Sequence, residues 1–188
     1  MKKIKIDNNA FVYPMPTVLV GSVVQGRANF MAVGWVSRVN SKPPMIGIAL
    51  GSHFTNQGIE EHKAFSVNIP SISMLEKTDY CGMVSGSETD KSGLFDIFYG
   101  ELKDAPLIKE CPVCAACRLR GQIRLPTNTL FVGEIIEVYS EDRYLTDGKP
   151  DLRKTSPFML TMPDNHYWGV GNHVGKAWSA GKKFKKKA

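Results

Sequence analysis

Three sets of residues in this chain have side chains suited to more than filling space. Ser52, His53 and Thr55 stand before or at the start of a segment that reads as a short helix. Free backbone N–H groups and the helix dipole favour a phosphate at such a place, and the hydroxyls add donors. Lys91 can supply a full positive charge to the same anion. Taken singly, Thr55 reads better as a helix N-cap and Lys91 as a surface residue. Asn29 donates and accepts hydrogen bonds through one amide, and Trp35 offers an apolar face to a flat ring. On residue type alone, a core position suits Trp35 and a turn-adjacent one suits Asn29. Cys111, Cys114 and Cys117 follow C-x-x-C-x-x-C, and Cys81 makes four, the number a cubane iron–sulfur cluster takes. Against a cluster, Cys114 and Cys117 fall on an apparent strand, where neighbouring side chains alternate faces and three thiolates do not readily converge. Buried, reduced thiols with no metal are the favoured reading.

The elements that must position these groups belong to a chain of 188 residues with 43% hydrophobic content, enough for one globular unit with its own core. No apolar run approaches the roughly 20 residues of a membrane helix, and Lys2, Lys3 and Lys5 are not followed by the apolar stretch of a signal peptide. A cytoplasmic location is therefore expected. The net charge is +6, but Lys182, Lys183, Lys185, Lys186 and Lys187 lie in the last seven residues, so the body is nearly neutral. A basic β-barrel that binds nucleic acid through its tail and exposed aromatics is the rival class. It is disfavoured because the basic residues form no stripe beside Trp35. No G-x-G-x-x-G fingerprint is present, so no Rossmann cofactor site is expected.

Residues 17–24 (TVLVGSVV), a Gln25-Gly26 turn and an extended run from Arg27 to Ser37 predict a hairpin. Pro43-Pro44 forbids a helix before Met45 to Leu50, which reads as a third strand. A short helix over residues 55–63, a strand at Phe65 to Ile69 and a second helix over residues 71–81 follow. Residues 83–110 lack any sustained period and are expected to form a long loop with short structured pieces. A second strand pair is predicted at residues 114–125 and 130–140, and a last strand at Phe158 to Thr161. About six strands and two short helices suggest a mainly β protein, a closed or partly closed antiparallel barrel.

Four local patterns then coincide in order: Asn29-Phe30-Met31-Ala32-Val33-Gly34-Trp35, Lys42-Pro43-Pro44, Phe65-Ser66-Val67-Asn68-Ile69-Pro70, and Ser85-Gly86 followed by Asp90-Lys91. With Phe131-Val132-Gly133-Glu134 as a fifth, the chain resembles the flavin reductase-like, or flavoredoxin, family from about Pro14 to Gly181. The resemblance implies an FMN-binding split barrel of antiparallel Greek-key type over residues 1–181, with residues 182–188 as a basic tail. It also implies a homodimer with flavin near the subunit interface. Electrons would pass between NAD(P)H or a redox protein and the flavin, the chain being either a flavin reductase or an electron carrier.

By the same resemblance Asn29, Trp35, Thr55 and Lys91 match flavin-contacting positions, with Met31 and Ala32 between the first two and Ser52 and His53 beside Thr55. Asn128 stands where some relatives carry His; an amide replaces one hydrogen bond of an imidazole but carries no charge to stabilise an anionic reduced flavin. Trp168, in Asn165-His166-Tyr167-Trp168-Gly169, resembles an aromatic terminal segment that covers the flavin or lines a nicotinamide site, with burial against the barrel the equal alternative. Cys111 and Cys117 match positions where the family often carries Cys. No catalytic acid or metal is expected, because the flavin performs the electron chemistry.

Overall fold

Gln25 and Gly26 both take positive φ, 52° and 74°, the conformation of the tight turn whose twist suits a two-residue hairpin. They join β1 (Val18–Val24) to β2 (Arg27–Val33) in antiparallel register. The structure is a computed structural model that describes residues 1–184. The extended run expected from Arg27 to Ser37 is broken at Gly34-Trp35, after which β3 (Val36–Asn40) pairs with β4 (Met45–Leu50) instead. Helix α1 (Thr55–His62), β5 (Ala64–Ile69), helix α2 (Leu75–Met83), β6 (Val113–Arg124) and β7 (Thr129–Ser140) follow. The main sheet thus has seven strands rather than about six, in the order β2-β1-β5-β6-β7-β4-β3.

That order forces closure. Laid flat, seven strands put β2 and β3 roughly 29 Å apart, six spacings of about 4.8 Å. Only Gly34 and Trp35 join them, three Cα steps that reach at most about 11 Å. The sheet therefore curls into a barrel, and the Ala49 N–H donating to the Trp35 carbonyl at 2.9 Å extends the β3–β4 ladder into this corner. This is the split-barrel architecture the sequence predicts. After a short helix α3 (Leu152–Thr155), β8 (Phe158–Thr161) and β9 (His166–Gly169) form a separate sheet with Met15–Pro16. Lys182 and Lys183 fall in a 3-10 segment, Ala180–Phe184; Lys185, Lys186 and Lys187 of the expected tail lie outside the described residues.

Period-2 alternation divides the core between the two faces of the sheet. Val18, Val20, Met31, Val33, Phe65 and Phe131 fill the barrel with Ile59 of α1. Leu19, Phe30, Cys114 and Ala116 point outward and are covered by Met74, Phe95, Leu107 and Ile108. The loop expected over residues 83–110 is thus part of the core wall, with short strands only at Ile97–Phe98 and Leu107–Ile108. Asn68, fully buried on β5, pins it: the amide donates to the Leu19 carbonyl (3.2 Å) and Ser66 Oγ (2.9 Å), and its oxygen accepts from the Ile108 N–H (3.0 Å). Ser66 in turn donates to the Pro106 carbonyl.

Asn68→Ala leaves the Ile108 N–H unpaired where water cannot reach it. Urea unfolding is expected to show a loss of about 2–4 kcal/mol. A change within about 0.5 kcal/mol would mean that apolar contacts alone hold the loop.

Candidate functional site

Two helix ends and the corner of the barrel meet at one side of β2. Helix α1 follows Phe54, whose side chain makes no capping bond; the Asn56 and Gln57 N–H groups turn back onto the carbonyls of His53 (3.1 Å) and Phe54 (3.2 Å), and the positive end of the helix dipole faces the site. Gly58 lets this helix lie directly on β1: a Cβ there would run into the Val23 carbonyl. Asn29 on β2 donates to Thr55 Oγ1 at 2.7 Å, and both side chains are buried. Because Thr55 Oγ1 accepts that bond, its own hydroxyl proton remains available for donation. The Ser85-Gly86 turn passes so close to Asn29 that a Cβ on Gly86 would collide with its amide oxygen.

Opposite, Lys91 reaches the C-terminal end of α2 and donates to the carbonyls of Cys81 (3.3 Å) and Val84 (3.0 Å). The negative end of the helix dipole favours a cation there. Lys91 is only 2% exposed, and among the described residues no carboxylate pairs with it. Its neighbour Asp90 turns outward and is taken by Arg27 at 3.1 Å and by the Ser92 N–H at 2.9 Å. Burial pushes the Lys91 pKa down, with the nearby Cys81 thiol opposing. The Cys81 thiol is itself pushed up to about 11 by burial, and Lys91 offsets part of that shift.

A cavity of about 300 Å³ lies between these ends, lined by Met31, Ala32, Ser52, His53, Phe54, Thr55, residues 81–86 and Lys91. A second, also about 300 Å³, adjoins it through Met31, Ala32 and His53 and continues past residues 33–35 to Ala49, Asn128 and Met162. Eight of the ten residues singled out from the sequence line this double cavity, and Asn29 stands behind it, holding Thr55. Trp35, 44% exposed against Phe11, is a wall residue rather than a core one. Trp168 is not brought in: it lies on β9, exposed, with its indole N–H on Thr161 Oγ1 at 2.9 Å. Phe54, Gly82, Met83, Val84 and Met162 were not legible as site residues; only Ser85-Gly86 carried a signal, as part of a motif.

The cavity is chemically two-ended. Lys91, the Thr55 hydroxyl and the start of α1 suit an anion. The Trp35 face and the Asn128 amide suit a flat ring with polar edges. The cysteines do not join this site as a set. Cys114 faces the outer cluster with Cys111, and Cys117 faces the barrel interior. Among the described residues no three of His, Cys, Asp and Glu gather closely enough to hold one metal ion.

Three comparisons bear on this geometry. Residues 10–160 match the model of the flavin reductase like domain. The fold superposes on a flavoredoxin from Methanosarcina acetivorans with a TM-score of 0.96 and 57% identity, covering 97% of this chain and 99% of that one. It superposes on the flavoredoxin of Desulfovibrio vulgaris (Miyazaki F) with a TM-score of 0.87 and 35% identity, covering 95% and 100%. An uncharacterised Archaeoglobus fulgidus protein is 34% identical over 145 residues, 76% of this chain and 81% of the other.

His53 sits at the cavity mouth, where desolvation first and the Lys91 cation second lower its pKa from 6.5. Because the folded value is depressed, the unfolded state binds more protons as pH falls below the ordinary value. Stability is therefore lost on acidification through that window. NMR titration should place the His53 midpoint below 6.5, and Lys91→Met should move it upward by removing one of the two causes. A midpoint at or above 6.5 in the wild type would contradict this account of the site.

Proposed function

The chain belongs to the flavin reductase-like family, and from that premise we propose that it is an FMN-binding oxidoreductase. In this reading it passes electrons between NAD(P)H or a redox protein and the flavin held in the double cavity. The observation that carries the reading is Lys91, a buried cation without a carboxylate at one end of a cavity whose other end is walled by Trp35. FMN has that shape: a phosphate of roughly two negative charges, comparable to a phosphorylated side chain, joined to a flat tricyclic ring. When bound, FMN supplies the hydride and electron chemistry itself.

The residues of the chain then have three tasks. Lys91 and the Thr55 hydroxyl, the latter oriented by Asn29, bind the phosphate together with N–H groups at the start of α1. Ser52 and His53 flank the phosphate end. Met31, Ala32 and Trp35 position the ring, and Asn128 offers its polar edge an uncharged partner. A second copy of the chain completes the assembly. Val39, Ile123, Leu125 and Val138 stay roughly half exposed on the outer barrel, and Val174 and Trp178 are almost wholly exposed, more apolar surface than scattered surface residues require. We propose residues 1–181 as one domain acting in a cytoplasmic homodimer.

A second reading, a carrier that exchanges electrons only with proteins, is favoured by the likeness to the Methanosarcina acetivorans flavoredoxin. Anaerobic NADH or NADPH added to the FMN-loaded protein separates the two: rapid bleaching marks a reductase, and bleaching only with a protein donor marks a carrier.

Lys91→Met is expected to weaken FMN about 10- to 150-fold, the worth of about 1.5–3 kcal/mol for a hydrogen bond to a charged group. It should leave riboflavin, which has no phosphate, nearly unaffected. Unchanged preference for FMN over riboflavin in the variant would remove Lys91 from the phosphate site.

A further inference from the structure

Three sulfurs outside the flavin cavity come together on the outer face of the sheet. The Cys111 thiol lies 3.8 Å from the Met74 thioether, and the Cys114 thiol reaches back to the Cys111 carbonyl at 3.7 Å. Cys114 donates to the Ile108 carbonyl at 3.1 Å. Met74 ends the short turn before α2, Cys111 closes a turn at residues 108–111, and Cys114 is the second residue of β6. All three are buried. An apolar-lined cavity of about 540 Å³ reaches Cys111 and Cys114 from the solvent side, past Lys109 and Tyr139. It shares no lining residue with the flavin cavity.

We propose that Met74, Cys111 and Cys114 form a binding site for a soft monovalent metal ion, with Cu(I) as its natural chemistry. Sulfurs bound to one metal at about 2.3 Å stand about 3.8 Å apart in tetrahedral geometry and about 4.0 Å apart in trigonal geometry. The Cys111–Met74 separation already has that value. Two thiols and a thioether are a soft donor set that selects Cu(I). Zinc prefers four nitrogen, sulfur or carboxylate donors, and among the described residues no third His, Cys, Asp or Glu joins the pair. Cys117 points into the barrel. Cys81 lies seven residues beyond Met74, about 10 Å along the helix.

Binding converts both thiols to thiolates. Two protons are released for each Cu(I), Cys114 gives up its bonds to the Ile108 and Cys111 carbonyls, and the complex carries one net negative charge, which Lys109 at the cavity rim offsets and Glu141 and Glu110 oppose. Burial pushes the Cys111 thiol up, so uptake strengthens as pH rises. The bound ion would tie the 108–111 turn to the start of α2, whose far end lines the flavin cavity.

The test is a titration of the reduced, full-length protein under anaerobic conditions with Cu(I) supplied on a weaker colorimetric chelator. Circular dichroism would confirm that each variant is folded. A single equivalent should move to the wild type, with X-ray absorption showing a sulfur-only shell. Since loss of even an outer-shell partner weakens metal binding 10- to 100-fold, Cys111→Ser and Cys114→Ser should each weaken uptake at least about 100-fold and Met74→Leu about 10-fold. Cys117→Ala should leave it unchanged. A wild type that leaves Cu(I) with the chelator would overturn the proposal, as would a folded Cys111→Ser/Cys114→Ser double variant that retains the equivalent.

Discussion

The two-residue link at Gly34-Trp35 is the constraint on which the rest of the structure depends. It carries the chain from one edge of a seven-stranded sheet to the other, and a connection that short is compatible only with a curled sheet. The same corner leaves Trp35 half exposed beside Met31, Ala32 and Ala49. One flat wall of the cavity is thus a by-product of how the barrel shuts.

The second wall is electrostatic. Helix α1 presents its start, and α2 presents its end with Lys91 across the last carbonyls. In the absence of an anion those carbonyls are the partners that make a buried ammonium tolerable, since an unpaired buried charge costs several kcal/mol. Arg27 draws Asp90 away, so the cation next to it is not neutralised from within the chain. The fold thus leaves a buried cation uncompensated beside a helix start, and the tight fit of Gly86 against Asn29 keeps the Thr55 hydroxyl in place.

Strand β6 divides its sulfurs between two environments. Cys117 packs in the barrel with Phe65 and Phe131, while Cys114 packs with Cys111 and Met74 beneath the long loop. Both environments are apolar, which raises the pKa of Cys117 to about 12 and that of Cys111 well above its ordinary value. These are poor nucleophiles at neutral pH. A soft metal, which supplies its own driving force for thiol deprotonation, is the partner such thiols can accept.

Much of the fold was legible because strands announce themselves locally. Turn residues at Gln25-Gly26, the double proline, and alternating runs at residues 65–69 and 130–140 fix elements through contacts only a few residues apart. The ordered motifs around Asn29, Asn68 and Lys91 went further, to a family and a cofactor. The sequence could not show that Asn68 is a clamp for the loop rather than a site residue, because its partner Ile108 lies forty positions away. Nor could it show that residues 81–86 and Met162 reach the same cavity, or that Trp168 does not. Those facts were decided by the closure of the sheet and by which ends of two helices it brings together. Sequence spacing encodes periodicity along one element, whereas adjacency between elements is set by packing of the whole core.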